Sequence, residues 1–202
     1  MQKKSEITVY IGVGSNIGSR EENIAKAFLS LEKYFLKLET ASLYESKALY
    51  YKDQPDFLNT VFKGIIPEDK TPEQLLSLVL ETENQLGRKR DTAFPKGPRN
   101  IDLDILLFGN SIVKKENLII PHPSIGERLF VLMPLLEFDK NLKDPVTGQK
   151  YDNFLNCLLE QDICCLKPKS NQRGTRYPKP KSNQRGIYFY KSSRYIEEYK
   201  EK

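Results

Sequence analysis

Apolar positions cluster in four short runs and recur at three- to four-residue spacing in two longer ones. Residues 7–13 (ITVYIGV) are rich in β-branched and aromatic side chains and stop at Gly14-Ser15-Asn16. That pattern predicts a strand running into a turn. Ile24, Phe28, Leu31 and Phe35 follow at helical spacing and predict an amphipathic helix over about 21–36. Residues 39–46 and 57–66 (FLNTVFKGII) read as strands, separated by a loop-like stretch, KALYYKDQPD, at 47–56. Thr71-Pro72-Glu73-Gln74 is a helix start: Thr71 can cap, Pro72 suits the first helical position, and Gln74 can reach back. Leu75, Leu76, Val79, Glu83 and Leu86 carry that helix to Gly87. After a basic loop at 88–100, residues 101–108 (IDLDILLF) are the most strand-like run in the chain, and Gly109-Asn110 turns into Ile112-Val113. Further helices are expected near 127–138 and 152–160.

From 7 to 108 the order is strand, helix, strand, strand, helix, strand. This is the βαββαβ order of ferredoxin-like α+β folds, in which helices pack on an antiparallel sheet. With 202 residues the chain is long enough for one such domain and a tail. The expected division is a folded unit at 1–165 and a basic, repetitive tail at 166–202. The tail repeats KPKSNQRG at 167–174 and 179–186. Its composition predicts disorder, with Ile187-Tyr188-Phe189-Tyr190 able to order locally.

The net charge of +5 first suggests a nucleic-acid or other anionic partner. Locating the charge removes that inference from the folded unit. Eleven of the 32 Lys/Arg and three of the 27 Asp/Glu lie between Lys167 and Lys202, so the tail is +8 and the rest −3. No apolar run approaches the ~20 residues of a membrane span. Met1–Glu6 is polar and does not read as a signal peptide. Cys157, Cys164 and Cys165 are too few and too close for a disulfide framework or a zinc site. A cytoplasmic protein with free thiols is expected.

The strongest chemical signal is Asp102-Leu103-Asp104. On a strand both carboxylates face one side, while Ile101, Leu103 and Ile105 face the other. Two acids ~6–7 Å apart can hold hard cations, although solvated acids on an exposed strand would show the same spacing. Arg88, Lys89, Arg90, Lys96 and Arg99 lie just upstream. Cations beside metal-binding acids suit a polyphosphate, whose oxygens bridge to metal while guanidiniums grip the remainder. No G-x-x-x-x-G-K-[ST] loop is present. Gly12-Val13-Gly14-Ser15-Asn16-Ile17-Gly18 misses G-x-G-x-x-G by one position, which argues against a dinucleotide fold.

Five separated motifs carry a resemblance. They are GVGSNIG at 12–18, DQPDFLN at 53–59, GRKR at 87–90, KGPRNIDLDILLFG at 96–109 and IIPHPSIGERLFVLMPL at 119–135. Together they resemble the 6-hydroxymethyl-7,8-dihydropterin pyrophosphokinase family over about residues 7–140. The resemblance implies transfer of the β,γ-diphosphate of ATP to the hydroxymethyl group of a reduced pterin, with release of AMP, in folate synthesis. It implies two Mg²⁺ ions held by Asp102 and Asp104, and triphosphate contacts from Arg88, Arg90 and Arg99. Arg88, Arg99, Asp102 and Asp104 would form the catalytic set. Glu83, His122 and Arg128 would help to bind ATP. Asn59 would read the pterin edge, Phe57 and Phe130 would flank its ring, and Ser46 and Leu49 would line the pocket. Aromatic faces and an amide that both donates and accepts suit a flat, polar-edged bicycle. Three positions depart from the family pattern: Lys96 stands where an aromatic residue often precedes Gly-Pro-Arg, Thr-Pro is missing near Ser46-Lys47, and the pterin-side loop reads ALYYK.

Small-molecule substrates, no membrane, no specific nucleic acid and a monomeric state are expected. Two other functions compete: a different Mg²⁺-dependent nucleotidyl or phosphoryl transferase using the same paired acids, and a protein that binds polyanions through its tail. Pterin binding discriminates the first, and salt-sensitive binding carried by the tail discriminates the second.

Overall fold

The computed structural model describes residues 5–49, 53–88, 97–164 and 187–200. Arg90, Lys96 and both copies of the tail repeat lie outside the described residues.

The chain begins with β1 (Glu6–Ser15), α1 (Arg20–Glu32), β2 (Lys37–Thr40), β3 (Leu43–Ser46) and β4 (Phe57–Pro67). Then come α2 (Pro72–Gln85), β5 (Asp102–Phe108), and the short hairpin of β6 (Val113–Lys115) and β7 (Leu118–Ile120). A 3-10 turn at Ile125–Glu127 leads into α3 (Leu129–Phe138) and then α4 (Tyr151–Cys164). The last described elements are β8 (Ile187–Lys191), a 3-10 turn at Ser193–Ile196 and the single-turn α5 (Glu197–Lys200).

The main sheet runs β5-β1-β4-β3-β8, with β2 also on β4, and every pairing is antiparallel. Leaving β8 aside, this is the ferredoxin-like order expected from the sequence. Both faces are covered. Val9, Ile11, Leu58, Phe62, Leu103 and Ile105 join the buried sides of α1 and α2 in one core. Tyr10, Val61, Leu106 and Leu107 join α3 and α4 in the other.

The Thr71 cap forms as the motif predicts. Thr71 Oγ1 accepts from Gln74 N at 3.3 Å, and Gln74 Oε1 accepts from Thr71 N at 3.0 Å. The first helix is shorter than its periodicity suggests, ending at Glu32. Tyr34 N and Phe35 N donate to Leu31 O and Glu32 O, and Leu36 N already donates to Ile65 O in the sheet. Phe35 keeps its helical spacing but not its helix. Its ring occupies the space beside Gly64, where a Cβ would stand 2.3 Å from it.

The expected strand at 39–46 is two strands. Thr40 pairs with Phe62 but Tyr44 with Asn59, so one extra residue is accommodated between them. Glu137 on α3 pins this irregularity. Its carboxylate accepts from Ser42 N (3.0 Å), Ser42 Oγ (3.0 Å) and Tyr44 OH (2.6 Å). The expected boundary after residue 165 does not describe 187–200, which return to the body as β8 and the turns after it. Tyr195 and Ile196 supply the apolar reason, because both are buried in the α1–α2 core.

Candidate active site

β1, β4 and β5 place three residues in one row across the sheet: Gly14 pairs with Asn59 on one side and with Asp102 on the other. Gly12 pairs with Asp104 in the next row on that face. The two glycines leave the floor of a cleft open. A Cβ on Gly14 would stand 3.4 Å from Asn59 Oδ1 and 3.5 Å from the Phe57 ring. The cleft encloses about 730 Å³, counting its solvent-open part. Ser46, Leu49, Phe57, Asn59 and Phe130 line it together with Arg99, Asp102, Asp104 and Arg128. Residues nominated separately for pterin and for phosphate therefore meet in one cavity.

Asn59 is buried, and its Nδ2 donates to Ser46 Oγ at 2.9 Å and to Tyr44 O and Phe57 O at 3.3 Å. These bonds occupy the amide nitrogen and orient the amide. Leu49 is exposed at the rim. The Arg99 guanidinium lies 5.2 Å from the centre of the Phe57 ring, and that of Arg128 lies 5.9 Å from Phe130.

The acidic end is an ion-pair network. Arg88 Nη1 lies 2.6 Å from Asp102 Oδ1 and also pairs with Glu83. Arg99 Nε lies 2.9 Å from Asp102 Oδ2, close enough for ion pairing though its N–H is not aimed along a hydrogen-bond line. Asp104 differs: burial, and then the Asp102 charge beside it, push its carboxyl up to about 6. Glu83 does not line the cleft. It is almost fully buried and accepts from Leu103 N at 2.7 Å, joining α2 to β5 and to Arg88. His122 lies in a second groove, with Tyr151 and Phe154. Its Nδ1 accepts from Ser124 N at 3.1 Å, which leaves the proton on Nε2. Burial, reinforced by the Arg128 charge, pulls its pKa down to about 4. Arg90 lies outside the described residues.

Sequence reasoning missed Asn16, although it lies inside a quoted motif. Its Nδ2 donates to Gln54 Oε1 (2.9 Å) and Pro55 O (3.1 Å), and its Oδ1 accepts from Arg99 N (2.8 Å). An asparagine at a strand end reads locally as turn chemistry. Partners about 40 and 80 residues away leave no local signal. Among the described residues no group of three or more His, Cys, Asp or Glu gathers to hold a metal. Asp102 and Asp104 offer two carboxylates, which suits Mg²⁺ bound mainly through substrate phosphates and water.

Fold and cleft define a ferredoxin-like α+β protein with an aromatic and amide pocket at one end and paired acids and arginines at the other. The family model "7,8-dihydro-6-hydroxymethylpterin-pyrophosphokinase (HPPK)" matches residues 10–140, and the chain belongs to that family. It is 38% identical over 160 residues to the 2-amino-4-hydroxy-6-hydroxymethyldihydropteridine pyrophosphokinase of Aquifex aeolicus, covering 79% of this chain and 97% of that one. The Bacillus subtilis protein of the same name is 41% identical over 145 residues, covering 71% and 84% respectively. Identity to the folic acid synthesis protein fol1 of Pneumocystis carinii is 45% over 159 residues, which is 77% of this chain but only 20% of that protein. A crystal structure of Plasmodium falciparum HPPK-DHPS shares the fold with a TM-score of 0.62 at 14% identity, covering 80% of this chain and 45% of that one. Among the described residues no helix is long and apolar enough to cross a membrane.

Proposed function

We propose that the protein transfers the β,γ-diphosphate of ATP to the hydroxymethyl group of 6-hydroxymethyl-7,8-dihydropterin, in the synthesis of folate. One observation carries this reading: Asn59, Phe57 and Phe130 share a single cleft with Asp102, Asp104, Arg99 and Arg128. Family membership, and relatives that bear the pyrophosphokinase name and are matched over 97% and 84% of their own length, support it.

In the reaction the pterin hydroxyl oxygen bonds to the β-phosphorus. The bond from that phosphorus to the α,β-bridging oxygen breaks, AMP leaves, and the hydroxyl proton passes to solvent. Asn59 Nδ2 is already engaged, so Oδ1 accepts from the pterin edge. Phe57 and Phe130 flank the ring, while Ser46 and Leu49 close the pocket around it. Arg88, Arg90 and Arg99 grip the triphosphate, with Glu83 holding Arg88 in place. Arg128 and His122 assist with ATP, His122 as a neutral donor through Nε2. Asp102 and Asp104 would hold two Mg²⁺ ions, and a bound cation would favour the ionised form of Asp104, whose carboxyl is raised by burial and then by the Asp102 charge. Bound there, Mg²⁺ neutralises charge on the phosphate oxygens. Catalysis rests on positioning and electrostatics, with no covalent enzyme intermediate and no dedicated side-chain base.

The proposed catalytic residues all lie within 1–165, the unit to which residues 187–200 return. The protein acts in the cytoplasm as a monomer on small molecules, and the basic repeats at 167–174 and 179–186 serve no specific partner. Incubation with ATP, Mg²⁺ and the hydroxymethyl-dihydropterin should release AMP in step with pterin diphosphate. Well-folded protein that released no AMP would overturn the assignment. Release of AMP or ADP without the pterin would favour another Mg²⁺-dependent phosphoryl transfer.

A further inference from the structure

The pterin end of the cleft is built on β3, and β3 has neighbours on both sides. On one side it pairs with β4, Tyr44 opposite Asn59 and Ser46 opposite Phe57. On the other it pairs with β8, Ser46 opposite Ile187, Glu45 opposite Tyr188 and Tyr44 opposite Phe189. Without β8, this four-residue strand would be a sheet edge. Short edge strands depend on whatever covers them for a fixed position.

The segment that supplies β8 is anchored well beyond the strand. Tyr195 is completely buried, with Ile196 beside it, in the core formed with α1 and α2. The Tyr195 hydroxyl lies 3.2 Å from Thr40 Oγ1 at the end of β2. Lys191 pairs with Glu21 at 2.7 Å and Lys200 with Glu32 at 2.6 Å, fastening both ends of the segment to α1. Phe189 meets the Tyr44 ring edge-on, 6.0 Å between centres. Tyr44 in turn accepts from Asn59 Nδ2 through its carbonyl and donates to Glu137 through its hydroxyl. A continuous set of contacts thus runs from the C-terminal segment to the amide in the pterin pocket.

We infer that residues 187–200 are a positioning element for the pterin substrate: β8 completes the sheet beside β3, and Tyr195 is the plug that holds it there. The family model ends at residue 140, so this element is an addition to the matched domain. Its effect is directional. The sheet order β5-β1-β4-β3-β8 puts β8 at the opposite edge from β5, which carries Asp102 and Asp104. Disturbing β8 therefore acts on the pterin end and spares the phosphate end.

The inference rests on the pterin pyrophosphokinase reading, and the test separates the two. AMP release by the unaltered full-length protein tests that reading first. In the full-length chain, Tyr195→Ala should raise the KM for the pterin about fivefold or more, while the KM for ATP changes less than about twofold, as expected for lost binding at one substrate only. Tyr195→Phe keeps the ring and should restore the pterin KM. If Tyr195→Ala does not fold, Lys191→Glu makes the same test without opening a cavity, by setting like charges at Glu21. Adding Glu21→Lys to it should then bring the pterin KM back. Folded variants with an unchanged pterin KM, or with equal rises for both substrates, would overturn the inference while leaving the activity assignment intact.

Discussion

Asp102 and Asp104 face the same side of β5, two residues apart, in opposite electrostatic surroundings. Asp102 lies between Arg88 and Arg99, at 2.6 and 2.9 Å. Asp104 is half-buried beside it and, without such close pairing, its carboxyl is pushed up to about 6 by burial and then by the Asp102 charge. The pair is asymmetric before any substrate arrives: one acid is satisfied by protein cations, and the other is held toward its protonated form.

Replacing Asp104 with Asn should therefore stabilise the metal-free protein at neutral pH. In the folded chain its carboxyl holds its proton up to about pH 6, whereas in the unfolded chain it ionises near pH 4. Between those values the folded state binds more protons, so this group makes the protein less stable as pH rises. Melting curves should show Asp104→Asn gaining over the native chain at pH 7–8, with the gain vanishing below about pH 4. Turnover should fall by orders of magnitude. An Asp102→Asn variant should lose turnover too, but without gaining stability, because Arg99 loses its acid and Arg88 keeps only Glu83. Near-normal turnover in either variant would refute the metal assignment.

Asn16 should matter far more than a turn residue. Its side chain and backbone bind Arg99 at both N and O, and its amide reaches the loop before β4. Asn16→Ala leaves buried polar groups without partners and should cost about 1–3 kcal/mol in stability. It also releases Arg99, so kcat/KM should fall about 10- to 100-fold, equivalent to roughly 1.4–2.8 kcal/mol of transition-state stabilisation. Denaturant unfolding and steady-state rates measure the two effects separately.

His122 should not titrate in the working range. Its pKa is held down at about 4, so the folded ring is neutral, while in the unfolded chain it protonates below about pH 6.5. The unfolded state then binds more protons between those values, and stability contributed by this group declines as pH drops through that window. The ring-proton NMR shifts of His122, the only histidine, should stay flat from pH 8 to 5.5. A midpoint near 6.5 in folded protein would refute the buried neutral assignment.

Two glycines should separate packing from binding. Gly64→Ala would put a Cβ 2.3 Å from the Phe35 ring and should lower stability by about 1–3 kcal/mol. Substrate KM values should change little in protein that remains folded. Gly14→Ala would project a Cβ into the cleft floor beside Asn59 and Phe57, where the nearest atoms stand at 3.4 and 3.5 Å, ordinary contact distances. It should fold, and its pterin KM should rise at least tenfold, about 1.4 kcal/mol of lost binding.

Legibility in the sequence followed the range of the interactions. The Thr71–Gln74 cap was readable because its partners are three residues apart. The paired acids and the buried Ile101, Leu103 and Ile105 were readable because strand alternation is a backbone property. That alternation breaks at Leu106. The β1–β5 register shifts there, and Leu106 and Leu107 both enter the core under α3. Phe35 misled for a related reason: its spacing fitted a helix, but the open space beside Gly64 and the sheet bond of Leu36 decided its conformation.

The sequence by itself determined the order of elements, the faces that turn inward, the acids that point outward and the motifs that mark the family. These depend on backbone periodicity and on residue types within a few positions of one another. Only the tertiary structure decided that Asn59, Gly14 and Asp102 share a row. It also decided that Asp104 and His122 have shifted ionisation, and that Tyr195 plugs a core formed some 160 residues earlier. Strand neighbours, desolvation and packing arise from contacts between distant segments, and those contacts exist only once the chain has closed on itself.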